Sequence, residues 1–367
     1  MFKLLNKYLK YNTVLYIVMS LIISTITNRF FPKINKNPAF NTLPNGNLLI
    51  YETIINLNLE NIENIYIIIN RNDITEYFYE KDLINLFSFK NKIVNIMFVD
   101  KNTKNQPETV YSCIKKYNIK GSLYVKDFKS IIICCPVKGN YVYYTKSNDI
   151  TNISDKSFIS LDNINKITNI SEKKIIDENI CIGLYSFENT EDFINHYEEI
   201  IDIKYDENDL HISHVIFSHI LNDGNYYGKE IKSYHDLTYY DDWLKYCNRY
   251  KTLFIDIDGT LVLNSGEYSK KKWGETECIK KNVDWLNTLY NTGTVQIILT
   301  TARKSKYKNE TVEQLKKYNI PYDNILYDLY HSKRFLINDF ANTNPFPSAI
   351  SINLSRNNEN LKDYLQF

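Results

Sequence analysis

The chain is poor in residues that break or staple a backbone. Its 367 residues include only 10 Gly and 8 Pro, and no glycine precedes Gly46. No Gly/Ser- or Pro-rich linker therefore divides it, and no low-complexity tract or internal repeat stands out. Net charge is also lacking. The 44 Lys+Arg against 43 Asp+Glu leave +1, which excludes a binder that wraps polyanions over its whole surface. The six cysteines, Cys113, Cys134, Cys135, Cys181, Cys247 and Cys278, form no C-x-x-C pair and have no histidine at zinc-ligand spacing. A chain this long needs no disulfide staples, so reduced thiols and a cytoplasmic, reducing compartment are expected.

A long apolar run is missing as well. Val14–Ile26, preceded by Lys3, Lys7 and Lys10, falls short of the roughly 20 apolar residues of a spanning helix. It lacks a small-x-small cleavage site. Rich in Val, Ile and Leu, it reads as a core strand buried on both faces rather than as a membrane anchor.

What is abundant is Tyr, at 31 residues, with Ile, Asn and Lys. A/T-rich codons account for that bias. Lys beside Tyr, as at Lys116-Tyr117, is thus an ordinary solvated surface and no strong nucleic-acid signal. At 44% hydrophobic and 24% charged, the chain is globular, and its length suggests two domains.

Short β-branched runs recur at Ile65–Ile69, Lys92–Val99, Ser130–Cys134, Tyr141–Tyr144, Leu253–Ile255 and Val295–Leu299. Helical spacing lies between several of them, at Tyr51–Leu57, Glu108–Tyr117, Asp209–Leu221 and Glu310–Tyr318. Strands alternating with helices predict α/β layers around parallel sheets. A helix over Asp241–Tyr246 followed by a new strand near Lys251 places the domain cut at residue 250. The expected domains are 1–250 and 251–367.

The sharpest signal is Leu253-Phe254-Ile255-Asp256-Ile257-Asp258-Gly259-Thr260-Leu261. An apolar strand delivers two carboxylates, two residues apart, onto a glycine turn, where open α/β sheets place their sites. This D-x-D-G-T resembles the first motif of the haloacid dehalogenase (HAD) superfamily of phosphohydrolases. Further motifs of that family follow in order. Val295–Leu299 leads into Thr300-Thr301-Ala302-Arg303, with Thr301 matching a T-x-R form and Thr300 as the substitute. Lys333 matches the third motif, and Phe335-Leu336-Ile337-Asn338-Asp339 reads as a further strand ending in an acid.

The resemblance implies that Asp256 attacks phosphorus and forms an aspartyl-phosphate. Asp258 protonates the leaving oxygen and then activates water. Asp256, the backbone carbonyl of Asp258, and Asp339 would hold Mg²⁺. Thr301 and Lys333 would bind the phosphoryl oxygens. Only 45 positions separate Asp256 from Thr301, and 32 separate Thr301 from Lys333, so no large cap domain fits and the site should be open, or covered by the N-terminal domain or a partner subunit.

Residues 14–250 resemble the sugar-phosphate nucleotidyltransferases, the nucleotide-sugar pyrophosphorylases. Ser24-Thr25-Ile26-Thr27-Asn28-Arg29-Phe30 stands where that family has its glycine-rich nucleotide loop. Leu48–Ile54 resembles the helix after its P-K/K-P loop. Tyr124-Val125-Lys126-Asp127 resembles the strand ending in a metal-binding Asp, and Ile170-Ser171-Glu172-Lys173 the segment whose Lys contacts the sugar phosphate. Cys181–Phe187 resembles the G-x-Y-x-F strand, and His235-Asp236-Leu237-Thr238 the segment with a second metal-binding Asp. Metal binding by Asp127 and Asp236, and nucleotide or sugar binding by Arg29 and Lys173, are what this implies. The loop lacks every glycine, although glycines there let backbone N–H groups approach a triphosphate. The loop lysine is open between Lys33 and the position of Asn37, which precedes Pro38.

Together these readings predict two Rossmann-like three-layer α/β domains: a nucleotidyltransferase-like mixed sheet, then a compact capless HAD-like parallel sheet. The expected activity is Mg²⁺-dependent phosphoester hydrolysis in nucleotide-sugar or glycan-precursor synthesis. The expected partners are a phosphorylated sugar or related metabolite, an NTP and a second copy of the chain. Two alternatives stay open. One is a nucleic-acid end phosphatase using Lys270-Lys271-Lys272 and Lys280-Lys281. The other is a binding scaffold with an inactive nucleotidyltransferase half.

Overall fold

The computed structural model describes residues 19–27, 37–74, 79–89, 91–146, 152–203, 209–338 and 349–365. Arg29, Lys33 and Asp339 lie outside the described residues. The chain divides into two compact units, Met1–Trp243 and Leu244–Phe367. The helix Tyr240–Cys247 covers the predicted Asp241–Tyr246 and carries the boundary between them.

The first unit is built on one mixed sheet. Its strands are β1 (Met19–Ser24), β2 (Asn64–Asn70), β3 (Ile93–Val99), β4 (Ser122–Asp127), β6 (Tyr141–Lys146), β7 (Ser157–Leu161), β8 (Ile167–Glu172), β9 (Asn179–Phe187) and β10 (Tyr227–Glu230). The main path runs β10-β6-β9-β4-β1-β2-β3, with β7 joined to β9 and β8 to β7. β1 pairs in parallel with β2 and β4, and β9 pairs antiparallel to β4. A separate ribbon pairs β5 (Ser130–Ile132) with β11 (Tyr234–Asp236), setting Asp236 opposite Ser130.

Why β1 sits centrally is plain from its sequence. Leu21, Ile22 and Ile23 are wholly buried, as a parallel strand covered on both faces requires. The core strand predicted within Val14–Ile26 thus appears over Met19–Ser24; residues 14–18 lie outside the described residues. One face of the sheet packs on the helices Gln106–Tyr117, Thr190–Asp202 and Ile212–Leu221 through Val110, Cys113, Phe193, Tyr197, Val215 and Ile216.

The second unit holds β12 (Lys251–Asp256), β13 (Val295–Thr300) and β14 (Asn324–Leu326), all parallel in that order. Helices Lys280–Tyr290 and Lys308–Lys317 contribute Val283, Leu286, Leu289 and Leu315 to its core. Two expectations are corrected here. Phe335–Asn338 forms no strand, and all four residues are exposed. β12 therefore has a described neighbour on one edge only. Nor is β12 covered on both faces: its burial alternates, and Phe254 is 51% exposed. Along this strand the three-layer arrangement is absent among the described residues, because Thr252 and Phe254, which share one face, are exposed.

Candidate functional site

Among the described residues, each unit carries a cluster that gathers side chains singled out in the sequence. In the second unit, β12 ends at Asp256 and β13 ends at Thr300, directly opposite in register. Cross-strand partners present their side chains on one face. Arg334 reaches this pair, its Nη2 donating to Asp256 Oδ1 at 3.1 Å and its Nη1 to Thr300 Oγ1 at 3.0 Å. Burial pushes the Asp256 carboxyl up from its ordinary value, and the Arg334 guanidinium pulls it back.

Two residues on, Asp258 is held from the opposite side. The Arg303 guanidinium donates from Nε to Oδ2 and from Nη2 to Oδ1, both at 2.8 Å, while Ser265 Oγ donates to Oδ1 at 3.1 Å. Arg303 is wholly buried, with Nη1 on Thr311 Oγ1 at 3.2 Å. Gly259 makes the turn possible: its φ is +90°, and an added Cβ would sit 3.0 Å from Arg356 Cγ. The loop is pinned by Asn282, fully buried, which donates from Nδ2 to the carbonyls of Thr260 and Asn358, each at 2.8 Å.

The predicted residues separate on inspection. Asp256 and Asp258 share the loop. Thr301 is buried; its N–H donates to the Leu326 carbonyl at 3.0 Å and its Oγ1 accepts the Arg303 N–H at 3.1 Å, while Thr300 lies beside Asp256. Lys333 is exposed, and it is its neighbour Arg334 that contacts Asp256. Arg303 stood inside the T-x-R match and could have been read as a partner for an acid. Nothing local in the sequence distinguished Arg334 from Lys333.

The cluster suits Mg²⁺ in part. Among the described residues Asp256 is bound through one oxygen only, no backbone N–H takes the Asp258 carbonyl, and a hard cation favours such oxygens. Among the described residues no group of three metal-ligating side chains forms.

In the first unit a cleft of about 280 Å³ is lined by Asp127, Lys129, Asp155, Lys156, Glu172, Lys173, Gly183, His211, Tyr234 and Asp236, among others. Asp127 ends β4, and its Oδ1 accepts the Lys129 N–H at 2.9 Å. Gly183 lets it fit: at φ +75°, a Cβ there would lie 2.8 Å from Asp127 Cβ. Asp236 Oδ1 accepts from Thr238 N at 3.0 Å and Thr238 Oγ1 at 2.6 Å, and its Oδ2 is ion-paired with Lys156. Burial, with Asp236 and Asp127 nearby, pushes the Tyr234 hydroxyl well up.

Lys126, wholly buried, donates from Nζ to Ser130 O at 2.8 Å and to Ser130 Oγ at 2.6 Å; burial lowers it to about 7. Glu172 accepts from Ser157 Oγ and, at 2.7 Å, from Ser213 Oγ. Lys173, with φ +53°, is paired with Asp209.

The described part of the segment that stands for the nucleotide loop, Ser24 to Thr27, is already engaged. Thr25 is wholly buried, and both its N–H and its Oγ1 donate to the Ile68 carbonyl, at 2.9 and 3.0 Å. Thr27 Oγ1 accepts from Lys129 Nζ at 2.8 Å. Asn37 donates to the Thr25 carbonyl and to Asp73, both at 2.7 Å, and caps the turn at Pro38.

Comparison with solved structures places the fold. A nucleoside-diphosphate-sugar pyrophosphorylase from Vibrio cholerae RC9 matches 63% of this chain and 100% of its own, at TM-score 0.53 and 16% identity. An inositol-1-phosphate CTP transferase from T. maritima matches 62% of this chain and 91% of its own, at TM-score 0.49 and 10% identity. A CTP:phosphocholine cytidylyltransferase from Streptococcus pneumoniae matches 63% and 99%, at 0.48 and 16%. No family model matches the chain, and no curated protein does. The mixed sheet thus shares the fold of the Vibrio cholerae pyrophosphorylase, over 63% of the chain. No helix among the described residues is long and apolar enough to cross a membrane.

Proposed function

We propose that the chain is a phosphohydrolase that works through Asp256, joined to a divergent nucleotidyltransferase-like unit and serving nucleotide-sugar or glycan-precursor synthesis. The observation that carries this reading is the pairing of two carboxylates with two guanidiniums at the carboxyl end of β12. Asp256 lies against Arg334 and Thr300, and Asp258 against Arg303.

Phosphoryl transfer asks chiefly for positioning and charge neutralisation. Asp256 attacks phosphorus as the P–O bond to the leaving group breaks. Asp258, oriented by Arg303, gives its proton to the leaving oxygen. Water then attacks the aspartyl-phosphate, its proton passes to Asp258, and inorganic phosphate leaves with Asp256 restored. Arg334 and the Thr300 hydroxyl stand where equatorial phosphoryl oxygens need donors. Mg²⁺, held by Asp256, the Asp258 carbonyl and Asp339, would add charge neutralisation when bound.

The test is inorganic phosphate release from a panel of sugar phosphates, nucleotides and a 3′-phosphorylated oligonucleotide, with Mg²⁺ or with EDTA. Mg²⁺-dependent release that Asp256→Asn abolishes is the expected result. A preference for the oligonucleotide would replace the sugar-phosphate reading with that of an end phosphatase. No release from any substrate by folded protein would overturn both.

A further inference from the structure

The cleft of the first unit invites a question about charge. Two carboxylates converge on it from β4 and β11, in the pattern that implied a metal pair. The residues present do not fit one. Both oxygens of Asp236 are already taken: Oδ1 by the backbone N–H and hydroxyl of Thr238, Oδ2 by the Lys156 ammonium. That ion pair is shielded, with side-chain exposures of 11% for Lys156 and 9% for Asp236. Lys156 Nζ also donates to Thr238 Oγ1 at 3.3 Å, which fixes the ammonium on this carboxylate.

The second carboxylate is engaged through one oxygen. Asp127 Oδ1 accepts the Lys129 N–H, and its own backbone carbonyl accepts from Lys126 Nζ. Asp236 thus carries an ammonium on its carboxylate, while the nitrogen of Lys126 sits on the backbone carbonyl of Asp127. A divalent ion bound through Asp236 Oδ2 would have to displace the Lys156 ammonium or sit against it, where like charges repel most. The glycine-free loop agrees with this: the Thr25 N–H, which would face a phosphate, is spent on Ile68.

We infer that this cleft is a binding site that takes no divalent cation, with Lys156 serving as its built-in counter-ion. The metal-bridged triphosphate chemistry of a nucleotidyl transfer then has no place to occur in it, and what remains is a polar cleft for a small hydroxylated or anionic molecule. The inference stands on the first unit alone and does not rest on the phosphohydrolase reading.

Manganese binding to the full chain tests it, counted by electron paramagnetic resonance on variants whose circular dichroism matches the wild type. Asp256→Asn provides the background in which the second unit's site is weakened. Adding Asp127→Asn to that background should leave the bound Mn²⁺ unchanged. Loss of one ion on that addition would overturn the inference. Conversely, Asp256→Asn/Lys156→Met should gain one Mn²⁺ bound at least tenfold more tightly than any in the background. Lys156→Gln provides the same test if the Met variant does not fold. No gain in a folded Lys156 variant would also overturn the counter-ion assignment. Phosphate release measured on the Lys156 variants reports on the second unit separately.

Discussion

Arg303, wholly buried, grips both carboxylate oxygens of Asp258, with its Nε and Nη2 each 2.8 Å from one of them. A planar fork on a planar acceptor fixes the carboxyl in orientation as well as position, which an ammonium cannot do. Arg303→Lys should therefore fold yet release phosphate about 10²-fold more slowly, the penalty of a displaced catalytic group. Arg303→Met leaves Asp258 without its partner and should cost about 3–5 kcal/mol, read by urea denaturation. Equal rates for Arg303→Lys and wild type would contradict the positioning role.

Arg334 and Lys333 are neighbours with different surroundings. Arg334→Met should lower phosphate release by about 10²–10³, as removal of one transition-state donor does. Lys333→Met should leave the rate within a factor of about two, a surface change away from the reacting atoms. A reversed order of the two effects would return the phosphate-binding role to Lys333.

Gly183 faces Asp127 at a φ of +75°, and a Cβ added there would lie only 2.8 Å from Asp127 Cβ. Gly183→Ala should cost about 1–3 kcal/mol through strain and the displaced Asp127. At roughly 2–4 °C per kcal/mol for a unit of this size, the melting temperature should drop by several degrees. An unchanged melting curve would show that β4 and β9 yield more easily than their pairing suggests.

His214 makes stability depend on pH. Burial lowers its imidazole below the ordinary 6.5, with His211 and Lys173 adding to that and Glu172 and Asp209 opposing it. Its Nδ1 accepts the His211 N–H at 3.1 Å, so the neutral ring is the form the fold uses. The unfolded chain takes up the proton more readily. This contribution is therefore complete above about pH 6.5 and is lost as pH falls through the lower folded value. Chemical denaturation at pH 7.5, 6.5 and 5.5 should show that decline, and His214→Gln should flatten it.

The sequence disclosed features that repeat or cluster locally. Leu21–Ile23 could be read as a core strand because every residue is apolar. Asp256 and Asp258 could be read as a site because strand, acids and glycine turn are contiguous. Arg334 was not legible, because its contact with Asp256 spans 78 positions and no period links them. Lys126 was hidden for a different reason: one lysine among 44 basic residues gives no hint that its ammonium is buried. The missing strand at Phe335–Asn338 shows the limit of reading apolar runs, since a strand exists only where a ladder partner accepts it.

Asn282 ties the Thr260 carbonyl to that of Asn358, and the Asn264 N–H donates to Asn357 Oδ1 across 93 positions. This has a consequence in time. A chain emerging from the ribosome at about 5–20 residues per second pairs β12 and β13 seconds before Asn357 and Asn358 are available. During that interval Arg303 can already hold Asp258, but the loop after it lacks its ties to Asn357 and Asn358. The strand that carries the two acids is thus made well before the residues that fasten the loop after it.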